Sequence, residues 1–174
     1  EEAILALLNM DQITIASWNG AAMGGGACIA TACDFRVGTP SSFMQYPEID
    51  IGVNLMWKSL PLLINLIGPS RSKRMVIGGD RITGEELQAW GVLDKLVSEQ
   101  ELSKEAQLLA EKYAKKAPIA AQMIKQSTNN IVNALSNEIM HMDFDQNLFT
   151  AQTRDRSTAI KSYLDKTAPI FEGD

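Results

Sequence analysis

The chain is poor in the residues that build metal and nucleophile sites: 174 residues hold two cysteines and one histidine. Cys28 and Cys33 have no further cysteine to complete a ligand set, so no metal centre is expected. Both lie in one apolar run, and buried free thiols of a reducing compartment are the expected reading. Any Ser-His or Cys-His nucleophile would have to use His141, far along the chain in a helical region, which argues against a triad. Excess positive charge is also missing. Sixteen basic residues against 21 acidic ones leave a net charge of −5, which argues against a general nucleic-acid surface. No long, clean apolar run is present: Leu60 to Ile67 is broken by Pro61 and Asn65, so no membrane span is expected. Glu1-Glu2 is not a leader-type start, and a cytoplasmic protein is expected. Internal repeats and low-complexity tracts are absent.

What is present is ordinary globular material, 45% hydrophobic and 21% charged, in a chain long enough to bury a core. Its most informative stretch is Gly24-Gly25-Gly26, followed by the small-residue run from Ala27 to Asp34. Glycine lets backbone approach a ligand closely, and a helix N-terminus points unused N–H groups outward. A bend of this kind suits an anion, or an oxygen that becomes negative during a reaction.

Around that bend the pattern alternates. Glu1 to Asn9 reads as the tail of a helix, with Ile4, Leu7 and Leu8 at helical spacing. Ile13 to Trp18 reads as a buried strand ended by Asn19-Gly20. Phe35 to Val37 is a second strand and Ser42 to Gln45 a third extended segment. Tyr46 to Gly52 reads as a loop, because Pro47 restricts Tyr46 and Gly52 punctuates. Asn54 to Ile67 is expected to be an apolar helix closed by Gly68. Thr83, with Glu86 three residues on, has the capping-box pattern, and that helix ends near Gly91. Val92 to Val97 is a last short strand. From there the sequence is helical. Ala106, Leu109, Ala110 and Tyr113 share one face of a helix from Ser103 to Lys116. Pro118 suits a first helical position, with Ile119, Met123 and Ile131 continuing an apolar face. Further stripes comprise Ile139, Met140, Phe144, Leu148 and Phe149, then Ile160, Tyr163 and Leu164; these predict core or subunit contact. The expectation is an α/β core over residues 1–98 and a helical oligomerisation region over residues 99–174. The sheet is thin for so apolar a chain, and N-terminal strands are expected to be absent from it.

Four motifs carry a family resemblance. Asn19-Gly20-Ala21-Ala22-Met23-Gly24-Gly25-Gly26, with Ala30 to Asp34, resembles the signature of the crotonase (enoyl-CoA hydratase/isomerase) superfamily. Pro47-Glu48-Ile49, then Gly52, resembles its second motif. Gly78 to Thr83, with Ala89-Trp90-Gly91-Val92, resembles its third, and Tyr163 to Lys166, with Pro169 and Phe171, its C-terminal end. The matches fall in family order across nearly the whole chain. The resemblance implies a spiral of ββα units, a trimer or dimer of trimers, an acyl-CoA thioester substrate and a chain that is the later part of a longer protein. It implies no separate cofactor, since CoA is part of the substrate. It implies that Gly25 N–H binds the thioester oxygen, with Gly24 and Gly26 beside it. It implies that Glu48 is the catalytic carboxylate, and that Tyr163 and Lys166 reach the CoA of a neighbouring subunit.

The departures bear on reaction type. Hydratases of this family carry a second glutamate where this chain has Cys28, and a Gly-Gly pair where it has Lys58-Ser59. A thiol does not replace a carboxylate in activating water. The pattern resembles the single-glutamate Δ3-Δ2 enoyl-CoA isomerases, in which an apolar residue at position 28 helps exclude water. Isomerisation is therefore the expected reaction. The alternatives are a hydratase using Glu48 alone or with Asp50, which points the same way if its loop is extended, and an inactive CoA-binding or scaffold subunit.

Overall fold

The computed structural model describes residues 2–136 and 142–174. Ile139, Met140 and His141, read above as part of a helical stripe and as the lone histidine, lie outside the described residues. After α1 (Glu2–Asn9), the core is built from short strands dealt alternately to two sheets. β1 (Ile15–Trp18) pairs in parallel with β3 (Phe35–Gly38), and β3 in parallel with β6 (Lys95–Leu96). β2 (Ala21–Met23) pairs in parallel with β4 (Phe43–Gln45), and β4 antiparallel with β5 (Ile82–Thr83). Each strand pair is followed by a helix: α2 (Gly25–Ala32) after β1 and β2, α3 (Ser59–Ile67) after β3 and β4. The repeated ββα unit winds the chain so that each turn adds one strand to each sheet. Gly20, at φ +79°, makes the kink between β1 and β2, a left-handed conformation natural to glycine.

α2, α3 and both sheets close around Ile4, Trp18, Met44, Tyr46, Leu63 and Met75, all buried. Arg36 holds the corner between the layers. Its guanidinium is buried and donates to the carbonyl oxygens of Val92, Ala30, Cys33 and Asp34. Burial lowers its pKa, while two of those acceptors lie at the C-terminus of α2, where positive charge is favoured.

Several elements differ from their expected form. Tyr46 to Gly52 is not an open loop: Pro47–Ile51 is a turn of 3-10 helix ended by Gly52 at φ +69°. The helix expected from Asn54 begins only at Ser59, because Trp57 and Lys58 take left-handed conformations at φ 72° and 57°. The strand expected over Val92 to Val97 shrinks to Lys95–Leu96. The three-residue β2 and a further helix, α4 (Pro69–Gly78), were not expected. The start and stop signals of α4 are present, with Pro69 in its first turn and Gly79 at its end, but only Ser72 and Met75 are buried, which leaves little apolar periodicity. The capping box of α5 (Gly84–Ala89) forms as expected, Thr83 accepting from Glu86 N–H.

All strands among the described residues precede residue 97. α6 (Glu99–Ala114) lies on the β1–β3 sheet, where Tyr113 stacks on Phe35 at 4.5 Å. α7 (Pro118–Asn133) is tied to the core by Lys125, which donates to Asp34 at 2.8 Å and to the Gln12 carbonyl at 2.7 Å. α8 (Met142–Ala151) rests on the 53–55 segment: Asn147 donates to the Asn54 carbonyl, and Asn54 N–H donates to Thr150. α9 (Arg154–Asp165) starts against Gly52, where a Cβ would stand 2.9 Å from the Arg156 Cα.

Candidate functional site

Gly24, Gly25 and Gly26 turn β2 into α2. Gly24 sits at φ 49°, ψ −118°, a conformation that side chains disfavour, and its N–H donates to the Gln45 carbonyl of β4. Gly25 and Gly26 are the first residues of α2, where N–H groups have no acceptor within the helix. The two lack side chains for different reasons. A Cβ on Gly25 would meet the Trp57 ring at 2.7 Å; one on Gly26 would meet nothing within 4 Å.

The 3-10 turn delivers Glu48 to this bend. Its Oε1 lies 3.1 Å from the position a Gly24 Cβ would take. Its Oε2 is buried without a hydrogen bond among the described residues. Burial raises the Glu48 pKa from its ordinary value. A carboxylate with no counter-ion at hydrogen-bond distance among the described residues, half out of water, is suited to accepting and returning a proton. Asp50 does not share this direction. In a 3-10 turn residues two apart point to different sides, and the exposed Asp50 instead lies beside Gly79, 3.3 Å from where its Cβ would be.

Cys28, one turn into α2, is buried, and burial pushes its thiol up to about 11, with the Glu48 charge adding to the shift and Ser59 opposing it. It is a neutral thiol at physiological pH, neither nucleophile nor carboxylate substitute. Tyr46 is wholly buried beneath it. The Tyr46 hydroxyl makes no hydrogen bond among the described residues, and the neighbouring Thr31 hydroxyl is turned to the Ala27 and Cys28 carbonyls. Burial raises the Tyr46 pKa strongly. Asp143 of α8 is also buried, and its charge acts on Cys28.

Gly24, Gly25, Cys28 and Glu48 thus form one cluster. A cavity of about 420 Å³ adjoins Glu48, walled by Val53, Leu55, Val76, Ile77 and the C-terminal segment around Phe171. A larger cavity of about 640 Å³, between α2 and α7, includes Asp34 and Lys125 but not Glu48. Tyr163 and Lys166 stand at the end of α9, both exposed, with Lys166 left-handed at φ 54°. Among the described residues, no hydrogen bond or ion pair joins either side chain to the Glu48 cluster.

Trp57, Tyr46, Ser59 and Asp143 were not anticipated as neighbours of the glycine bend. Trp57 and Lys58 are left-handed here, and nothing in their sequence signals it.

Two sheets wound by ββα units, with a glycine helix start facing a half-buried carboxylate, define a crotonase-type fold. The profile of the enoyl-CoA hydratase/isomerase family matches residues 1–174, and the chain belongs to that family. It is 27% identical over 162 residues to a crotonyl-CoA hydratase of Syntrophomonas wolfei, covering 93% of this chain and 62% of that protein. It is 31% identical over 161 residues to a 2,3-dehydroadipyl-CoA hydratase of Escherichia coli, covering 91% and 62%. The chain therefore spans about three fifths of the length of these relatives. An enoyl-CoA hydratase structure from Mycobacterium avium subsp. paratuberculosis superposes with a TM-score of 0.90 at 20% identity, covering 97% of this chain and 69% of that one, which shows the shared fold.

Proposed function

We propose that this chain carries the proton-transfer part of an acyl-CoA enzyme, and that the reaction is double-bond isomerisation of an enoyl-CoA. The observation that carries the reading is Glu48: a half-buried carboxylate with one oxygen unpartnered among the described residues, held against the bend that starts α2. The thioester oxygen of a 3-enoyl-CoA rests at Gly25 N–H, flanked by the Gly24 and Gly26 backbone. Glu48 takes a proton from the carbon next to the thioester. The electron pair moves onto the thioester oxygen, where an oxyanion donor contributes a few kcal/mol. Glu48 then returns the proton two carbons further out, and the double bond ends in conjugation with the carbonyl. One carboxylate suffices, because no water is added. The neutral Cys28 thiol supports this reading: it supplies no second base and keeps that side of the site apolar.

A second reading is hydration. The relatives are named hydratases, and Asp143 is a buried carboxylate whose charge reaches Cys28. In that reading Asp143 supplies the second carboxylate from α8, in place of one from α2. CoA itself spans subunits in either reading. Tyr163 and Lys166 extend from α9 to a neighbour's bound CoA within a trimer or dimer of trimers, with Lys166 on a phosphate.

The test is Glu48→Gln, which keeps the shape and removes the base. Turnover is expected to fall by about two orders of magnitude or more, with acyl-CoA affinity little changed. Near-normal turnover would remove Glu48 from the mechanism. Asp143→Asn divides the readings: it leaves isomerisation intact, whereas a hydratase dependent on Asp143 loses its activity.

A further inference from the structure

We propose that Trp57 sets which acyl groups the site accepts, by walling off the space beside the carbon next to the thioester. The proposal rests on the acyl-CoA reading above. Its basis is the contact between Trp57 and Gly25. A Cβ on Gly25 would fall 2.7 Å from Trp57 Cζ3 and 2.8 Å from Cη2, so the six-membered ring lies directly on the first residue of α2. The ring is fixed there. Trp57 and Lys58 hold consecutive left-handed conformations, at φ 72° and 57°. Non-glycine residues adopt that region only where the surroundings impose it, and such positions gather at functional sites. The ring also packs against the main apolar core, and the Trp57 carbonyl accepts a bond from Ser59 at 3.4 Å. A thioester whose oxygen rests at Gly25 N–H brings its second carbon alongside this ring. A linear chain passes the ring edge; a branch at that carbon collides with it. Size exclusion of this kind is worth about 10- to 200-fold per methylene.

The test uses the protein carrying this chain and two saturated thioesters, butanoyl-CoA and 2-methylbutanoyl-CoA, with dissociation constants from titration calorimetry. The wild type is expected to prefer the linear thioester by about tenfold or more. Trp57→Ala should reduce that preference to below about threefold, and Trp57→Phe should retain most of it. Thermal melts check the fold; if the alanine variant is unfolded, Trp57→Leu gives the same comparison. An unchanged preference in the folded small-residue variant overturns the proposal, as does a wild type indifferent to the branch. A wild type that binds neither thioester overturns the acyl-CoA reading together with it. Binding of both with no effect of Trp57 overturns only the wall.

Discussion

Glu48 and Cys28 show how burial decides what a residue can do. Glu48 has an ordinary value of 4.5, and burial raises it in the fold. A carboxyl whose folded pKa exceeds its unfolded one favours folding while protonated. That contribution is fully present below about 4.5 and is lost as pH rises through the folded value. Glu48→Gln removes the ionisation, so the variant should melt higher than wild type at pH 7 to 8, with the difference closing below pH 4.5. A constant offset across that range, measured by thermal melts, would contradict the desolvated carboxylate. Cys28 and Cys33 should differ toward a thiol reagent. Cys28 is buried with its thiol pushed up to about 11, while Cys33 is half-buried. Labelling at pH 8 should reach Cys33 first and Cys28 only on unfolding, as peptide mapping would show. Gly26, unlike its neighbours, has room for a methyl group. Gly26→Ala should hold or raise stability, since alanine favours helix over glycine by up to about 1 kcal/mol.

At the scale of elements, the site depends on helices from the second half of the chain being tied to the first. The part-buried Lys125–Asp34 pair, at 2.8 Å, ties α7 to the segment after α2, and Asp34 also accepts from Thr14 N–H and its hydroxyl. Asp34 keeps its Thr14 bonds when Lys125 is removed. Lys125→Ala should therefore cost about 1.5 to 3 kcal/mol, against about 0.5 or less for the exposed Lys104→Ala, read from denaturant midpoints. Equal effects would show that the pair does not hold α7.

The same elements show what could be read in advance. The glycine bend and the Thr83 cap were legible because each is local: a handful of consecutive residues specify the geometry. Two features were not local. The left-handed Trp57–Lys58 pair is imposed by packing on residues that carry no turn signal. The arrival of Asp143 near Cys28 depends on α8 folding back over the 53–55 segment. Gly52 lies between these cases. Its role as a stop was visible, but its close contact with the Arg156 backbone was not.

At the scale of the whole molecule, the helices of the second half expose apolar faces. Ile119, Ile131 and Phe149, with Leu135 in the turn after α7, are 69% to 84% accessible. No helix among the described residues is long and apolar enough to cross a membrane. Contiguous exposed apolar faces mark contact surfaces, and the cover proposed here is other copies of the chain. Light scattering should give a trimer or hexamer; a stable monomer would contradict the shared CoA site. Lys166→Ala should leave assembly intact and weaken acyl-CoA binding, with the loss shrinking as salt screens a phosphate contact. Affinity unchanged by that substitution would leave Lys166 a solvated lysine.

The proposed chemistry is that of one carboxylate in an apolar site moving a proton along the acyl chain. Its most direct measurement is the ratio of two rates on the same enzyme, followed by absorbance of the conjugated thioester. One is conversion of 3-enoyl-CoA to trans-2-enoyl-CoA; the other is loss of trans-2-enoyl-CoA by addition of water. Faster isomerisation, abolished in Glu48→Gln, is the predicted result. Hydration faster than isomerisation would contradict the account and assign the chemistry to a second carboxylate.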